Sequence, residues 1–264
     1  MALTSSSTQP PAIYPDLAQA SVFITGGASG IGADIVRAFV AQGARVAFVD
    51  IDATATAALC TSLQEAGKHQ GTVQAEVVDV ADVAALQAVM QQLAARSGPF
   101  SVLVNNVAHD ERHAWQNVTP LEWDQRVAVN LRAHFFAAQA VAPGMVAGGG
   151  GSIINLGSIS WKVKGRDYPV YATCKAAITG LTRSLARELG AQNIRVNTVV
   201  PGWVMTQRQL ALWVNAEAER EIDASQCLPG RLQGSDIAQM VLFLASNASR
   251  MISAQEFVVD AGWT

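Results

Sequence analysis

The sequence predicts an α/β fold, a single doubly wound domain of about seven parallel strands with helices on both faces. Three observations carry this reading. Short β-rich runs alternate with Ala-rich stretches of helical apolar spacing, the pattern of a parallel sheet with crossover helices. A glycine-rich turn, TGGASGIG at 25–32, follows the first run and opens the first helical stretch. The 264 residues, half of them hydrophobic, supply one large core and show no boundary for a second domain.

Taken in order, residues 1–15 are rich in Ser, Thr and Pro and read as a flexible tail, leaving 16–264 as the domain. Strands are expected at 21–25, 45–49, 72–78, 101–105, 152–156, 194–199 and 256–260. Helical spacing runs over 33–43, 83–98 and 171–189. The longest helical pattern starts at Thr119, an N-cap followed by Pro120 in the first turn, and continues to about Met145. Gly43 and Gly190 follow helical runs and suit C-terminal caps. GGGG at 148–151 runs into a strand, not a helix, so it is a connection and not an anion-binding loop.

Composition excludes several function classes. A net charge of −3 without clustered Lys or Arg argues against nucleic acid as a partner. No stretch of 18 uncharged apolar residues is present, so no membrane span is expected. Cys60, Cys174 and Cys227 are scattered and odd in number, which fits a reducing compartment and free thiols. Together with an N-terminus that lacks a basic start and an apolar run, this predicts a cytoplasmic protein.

The glycine turn carries the first chemistry. Gly26, Gly30 and Gly32 have the spacing G-x-x-x-G-x-G between a strand and a helix. Such a turn lets the backbone approach a pyrophosphate, and the helix N-terminus supplies N–H donors and a favourable dipole. Asp50 ends the second strand, where a carboxylate accepts hydrogen bonds from ribose hydroxyls and repels a 2′-phosphate. No Lys or Arg lies inside the glycine loop, so NAD is expected in preference to NADP.

TGGASGIG, NNVA (105–108), Asn130, Ser158, Tyr171-x-x-x-Lys175 and PGWVMT (201–206), in this order, resemble the short-chain dehydrogenase/reductase family over about residues 17–264. The departure is NNVA where that family usually has NNAG, which changes bulk beside the nicotinamide and removes no reacting group. The resemblance implies a Rossmann fold and the catalytic set Asn130, Ser158, Tyr171 and Lys175. Tyr171 would be the base that takes a hydroxyl proton while the carbinol carbon gives a hydride to the nicotinamide. A free phenol has a pKa of about 10, and an ammonium one helical turn away favours the phenolate. Lys175 would also hold the nicotinamide ribose, Ser158 would bond the substrate oxygen, and Asn130 would hold a water in a relay to the lysine. Tyr168 has no lysine partner and is expected as a wall or packing residue. The implied cofactor contacts are Gly26, Ser29, Gly30, Ile31, Gly32, Asp50, Asp79, Val80, Asn105, Tyr171, Lys175, Pro201, Val204 and Thr206.

The loops after the fourth, fifth and sixth strands carry HDERH (109–113), SISW (158–161) and WVMTQRQLALW (203–213). Charge, amide and indole suit a small, heavily hydroxylated substrate, and the contacts expected are His109, Asp110, Ser158, Ser160, Trp161, Tyr171 and Arg208. "HDERH", "NLGSISW", "QAVAPGM", "QCLPGR", "VLFLAS" and "DAGW" are similar to bacterial sugar 1-dehydrogenases of the D-xylose 1-dehydrogenase type. That likeness implies oxidation of the anomeric hydroxyl of an aldose (pentose, hexose or 6-deoxyhexose) to a lactone. His109 stands where that type is expected to carry asparagine, so the sugar class is better fixed than the sugar.

Two rival readings fit the sequence less well. A 3-oxoacyl-carrier-protein reductase, or another secondary-alcohol dehydrogenase, would want a basic docking patch, whereas EAEREID (217–223) is acidic. A non-catalytic NAD-binding sensor would lack the base or the lysine, and both are present. His109 and His113 have i, i+4 spacing that would suit a metal if helical, but hydride transfer by this residue set needs none and no metal is expected. The resemblance also implies a homotetramer, with the helix 171–189 at an interface.

Overall fold

The computed structural model describes residues 12–65 and 71–264. The strands are β1 (Ser21–Thr25), β2 (Arg45–Asp50), β3 (Thr72–Val77), β4 (Val102–Asn105), β5 (Gly151–Leu156), β6 (Ile194–Pro201) and β7 (Glu256–Val259). Among the described residues they form one seven-stranded sheet in the order β3-β2-β1-β4-β5-β6-β7. Every neighbouring pair is parallel, in a register such as Phe23↔Ala47 and Phe23↔Leu103. Each expected strand is therefore present, with ends shifted by at most two residues.

Parallel strands need crossovers, and helices supply them: α1 (Gly30–Ala41), α2 (Ala53–Glu65), α3 (Val83–Ser97), α4 (Pro120–Val127), α5 (Ala133–Ala147), α6 (Pro169–Leu189), α7 (Gln207–Leu212), α8 (Ala216–Ser225) and α9 (Gly234–Ala245). Because successive strand side chains point to opposite faces, each strand feeds two cores. Val22, Ile24, Val46 and Phe48 pack with α1, α2 and α9 on one face. Phe23, Ala47, Val49 and Leu103 pack with α3, α5 and α6 on the other. Phe23, Phe39 and Phe48 are fully buried.

The expected tail, 1–15, falls mostly outside the described residues. Its last part is ordered: the Tyr14 N–H donates to Gln42 Oε1 (2.8 Å), and Pro15–Leu17 forms a 3₁₀ turn that buries Leu17. The expected single helix from Thr119 is interrupted. Thr119 caps α4 with a reciprocal Glu122 bond, but Ala128–Arg132 is a π-helical segment before α5 begins. Gly43 adopts φ +83° after α1, as its position predicts. Gly190 does not, because α6 runs on into a 3₁₀ turn and Asn193 (φ +58°) takes the left-handed turn instead.

The strand order reverses between β1 and β4, so the loops at their carboxyl ends diverge and open a crevice. α7 and α8, which follow β6, contribute to its far wall.

Candidate active site

The crevice is a cleft of about 1480 Å³. At its β1 end, Gly26 (φ +68°) begins the turn. A side chain at Gly32 would put Cβ 1.8 Å from the Gly26 carbonyl oxygen, so only glycine lets α1 start this close to the strand. Ser29 is the N-cap of α1 but makes no side-chain cap bond, and Ser29, Ile31 and Gly32 line the cleft. An uncapped helix N-terminus behind a bare backbone turn fits a pyrophosphate. Gly30 (φ +52°) is exposed between Ser29 and Ile31, and a side chain there would meet Thr206 of the β6 loop at 3.2 Å. Asp50 lines the cleft with its carboxylate fixed, Oδ2 accepting from the Ala28 N–H (2.9 Å) and Oδ1 from Asp52 (3.1 Å). Asp79, Val80, Pro201, Val204 and Thr206 complete a continuous wall. These residues fit a nicotinamide dinucleotide.

Asn105 departs from expectation. It is 1 % exposed and donates to Asn155 Oδ1 (2.9 Å) and the His134 carbonyl (3.2 Å), so its side chain ties β4 to β5 and α5 inside the core. Its neighbour Asn106 faces the cleft and donates to the carbonyls of Gly26 (2.8 Å) and Thr25 (3.1 Å), holding the glycine turn.

The first turns of α6 bring Tyr171 and Lys175 together, with the lysine Nζ 5.7 Å from the phenol ring centre. Lys175 is 1 % exposed and donates to the Leu156 carbonyl (2.8 Å), which anchors it to the end of β5. Ser158 comes from the loop after that strand, accepts from the Ser160 N–H (3.1 Å) and lies beside the Tyr171 phenol, where its hydroxyl favours the phenolate. Below them Asn155 donates to Thr182 Oγ1 (2.8 Å) and Thr182 meets Thr198 (2.8 Å), a buried chain that fixes α6 against β5 and β6. Burial lowers Lys175 to about 8. Burial also raises Tyr171 above its ordinary value, against the pull of Ser158. In the protein alone the direction is therefore upward, opposite to the lowering expected from the lysine, because desolvation of the phenolate is the largest effect.

Asn130 sits buried in the π segment, outside the cleft lining. Its side-chain oxygen accepts from the His109 N–H (2.8 Å), and its amide donates to the carbonyls of His109 (3.2 Å) and Arg126 (2.9 Å). The side chain therefore pins the β4 loop. That loop is not helical, so His109 and His113 do not share a face. The His109 ring meets Glu111 and its basicity is lowered mainly by burial, while His113 Nδ1 lies 2.9 Å from the Glu111 carbonyl. Among the described residues no group of three or more His, Cys, Asp or Glu is gathered for a metal.

At the substrate mouth His109, Asp110, Ser160 and Arg208 line the cleft as expected. Asp110 accepts from Arg208 Nε (3.2 Å) and Gln209 Nε2 (2.6 Å), so the β4 loop clasps α7. Trp161 lies outside this lining, with the Lys162 ammonium 4.5 Å over its ring. The indoles that do line the cleft are Trp203, Trp213 and Trp263. Trp203 and Trp213 belong to the segment 203–213 after β6, and Trp263 to the terminal DAGW, which tertiary folding brings to this wall. Tyr168 is a wall residue, its ring edge-on to Tyr171 at 6.2 Å and covered by Arg112 at 4.9 Å.

An uncapped glycine turn, a fixed carboxylate at the end of β2 and a Ser–Tyr–Lys cluster share one cleft. The family described as Enoyl-(Acyl carrier protein) reductase matches residues 26–264. The chain belongs to the short-chain dehydrogenase/reductase family. It is 46 % identical over 252 residues to a D-xylose 1-dehydrogenase from Caulobacter vibrioides, covering 96 % of this chain and 98 % of that protein. It is 45 % identical over 256 residues to a "probable galactose dehydrogenase" from Rhizobium meliloti, covering 97 % and 99 %. Among solved structures it is similar to a blue fluorescent protein from a metagenomic library in complex with NADPH (TM-score 0.85, 35 % identity, covering 94 % and 99 %). The short-chain dehydrogenase/reductase chain is thus a nicotinamide-dependent oxidoreductase by family.

Proposed function

We propose that the protein oxidises the anomeric C1 hydroxyl of an aldose to its lactone, with NAD as the hydride acceptor. The observation that carries the reading is the Ser158–Tyr171–Lys175 cluster facing a mouth of carboxylate, guanidinium, amide and indole groups. Such groups suit a polyol: polar side chains bond hydroxyls and indoles cover C–H faces. The names of the two sugar dehydrogenases above support the same class.

In this reading Ser158 and Tyr171 hold the substrate O1, and Tyr171 receives its proton as C1 loses hydride. Lys175, anchored on Leu156, keeps a positive charge beside the phenol below pH about 8. When bound, the oxidised nicotinamide accepts the hydride, and its ring charge favours the phenolate that burial disfavours. Asn130 contributes by holding the His109 loop at the mouth. Asp50 supports NAD, because a fixed carboxylate at the adenosine ribose repels a 2′-phosphate. Replacing Asp50 with Asn is expected to raise the NADP/NAD ratio of kcat/KM by at least about tenfold, roughly 1.4 kcal/mol.

The rival reading, an acyl-carrier-protein reductase, is supported by the description of the matching family. It is opposed by Glu217 and Glu221, which place acid at the mouth where an acidic carrier would dock. The reading is completed by a cytoplasmic homotetramer, supported by exposed Phe135 and Val146 on α5. No helix among the described residues is long and apolar enough to cross a membrane. Initial rates of NAD and NADP reduction over a panel of aldoses, beside NADPH-dependent reduction of an acetoacetyl thioester, test the choice. NAD-dependent turnover of at least one aldose is expected; thioester reduction with silence on every sugar would replace this reading by the rival.

A further inference from the structure

Residues Ala261–Thr264 do not trail from β7. Asp260, 5 % exposed, folds them back: Oδ1 accepts from the Gly262 N–H (2.8 Å), and Oδ2 accepts from the Thr264 N–H (2.8 Å) and hydroxyl (2.9 Å). The turn is tight, with φ +57° at Ala261 and +82° at Gly262. A second strut comes from the loop before α9, where the N–H groups of Cys227 (2.9 Å) and Leu228 (3.0 Å) donate to the Ala261 carbonyl. A side chain at Gly262 would put Cβ 2.8 Å from Cys227 Cβ, so the two segments are closely fitted. Between these struts Trp263 is delivered to the cleft wall.

There it meets Trp203, ring centres 6.3 Å apart and planes inclined at 40°. Two inclined indoles form a corner, not a stack, and each keeps a face available to a third apolar surface. Trp203 is itself held: its Nε1–H donates to Gln209 Oε1 (3.0 Å), and Gln209 donates to Asp110 (2.6 Å). The corner is therefore tied to the polar rim of the mouth, through Gln209, on one side and to the Asp260 belt on the other.

We infer that Trp263, positioned by Asp260, is a specificity-determining residue: with Trp203 it forms an indole corner that receives the C–H face of the sugar. This rests on the aldose reading above. An indole presented this way adds binding that is equal in ground and transition states, so it acts on KM and not on the chemical step. A buried carboxylate belt removes the entropy that residues 261–264 would otherwise lose on ordering the site.

The test compares W263A, W263F, D260N and W161A with the wild-type enzyme, on whichever aldose the wild type oxidises best with NAD. W263A is expected to raise the sugar KM at least tenfold, with kcat within threefold and the KM for NAD unchanged. W263F, which keeps an aromatic face, should recover most of that loss. D260N should raise the sugar KM in the same direction although the indole is present. W161A, whose indole lies outside the cleft, should stay within twofold throughout. A W263A enzyme with the wild-type sugar KM overturns the inference while leaving aldose oxidation intact. Absence of wild-type turnover on every aldose overturns both, and so separates the two failures. Should D260N unfold, as judged by circular dichroism, the pair W263A and W263F still decides.

Discussion

Tyr168 and Tyr171 lie three positions apart with their rings edge-on, yet only Tyr171 has Lys175 one turn along α6 and the Ser158 hydroxyl beside its phenol. Tyr171→Phe should therefore lose about 10²–10⁴-fold in turnover, the scale of a general acid–base group, while still binding NAD in a fluorescence titration. Tyr168→Phe should stay within a few-fold of wild type. Burial lowers Lys175 to about 8 and holds the Tyr171 phenol above its ordinary value, so the phenolate is scarce at mildly acidic pH. Oxidation needs the Tyr171 phenolate: kcat/KM should be low at pH 6 and rise as the pH is raised into the alkaline range. A flat profile between pH 6 and 9 would contradict this assignment. His134 makes a stability prediction of its own. It is 1 % exposed, and burial, reinforced by Lys175, holds it well below its ordinary range. Below pH about 6.5 the unfolded chain gains a proton that the folded chain refuses, so stability falls on acidification. His134→Gln should reduce the drop in melting temperature between pH 7 and 5.

At the scale of elements, the strands were legible because each is a short β-rich run bounded by turns, and in the five central strands burial on both faces enforces that composition. The glycine turn was legible for the same reason that it cannot vary: Gly32→Ala should abolish NAD binding, since its Cβ would meet the Gly26 carbonyl at 1.8 Å. Calorimetry of NAD binding, with circular dichroism to report folding, checks this. The π segment at Ala128–Arg132 was not legible, because one widened turn leaves apolar spacing almost unchanged. The placement of Asn105 was missed for a different reason: adjacent strand residues face opposite ways, and a one-residue choice decides which of Asn105 and Asn106 meets the cleft. α7 and α8 were read as loop because they are short and owe their position to clasps such as Asp110 on Arg208 and Gln209. Asp110→Ala should loosen α7 and raise the sugar KM several-fold, with a smaller effect on the KM for NAD, measurable in initial rates.

Across the whole molecule, the sheet buries its two faces under separate helix layers and leaves the carboxyl ends of its strands to carry the chemistry. Function is thus confined to one edge, and the outer helices are free to meet other copies. Phe135 and Val146, 41 % and 46 % exposed on α5, are apolar groups that the monomer leaves in water. The double variant Phe135→Glu, Val146→Glu should shift a homotetramer to smaller species in light scattering. The central claim, that this edge oxidises an aldose at C1 with NAD, is tested most directly by initial rates of NAD and NADP reduction with D-xylose, L-arabinose, D-galactose, D-glucose, L-rhamnose and L-fucose. The account predicts NAD-dependent turnover of at least one of these sugars at a rate well above that with NADP. Silence on all six, beside reduction of an acetoacetyl thioester by NADPH, would contradict it.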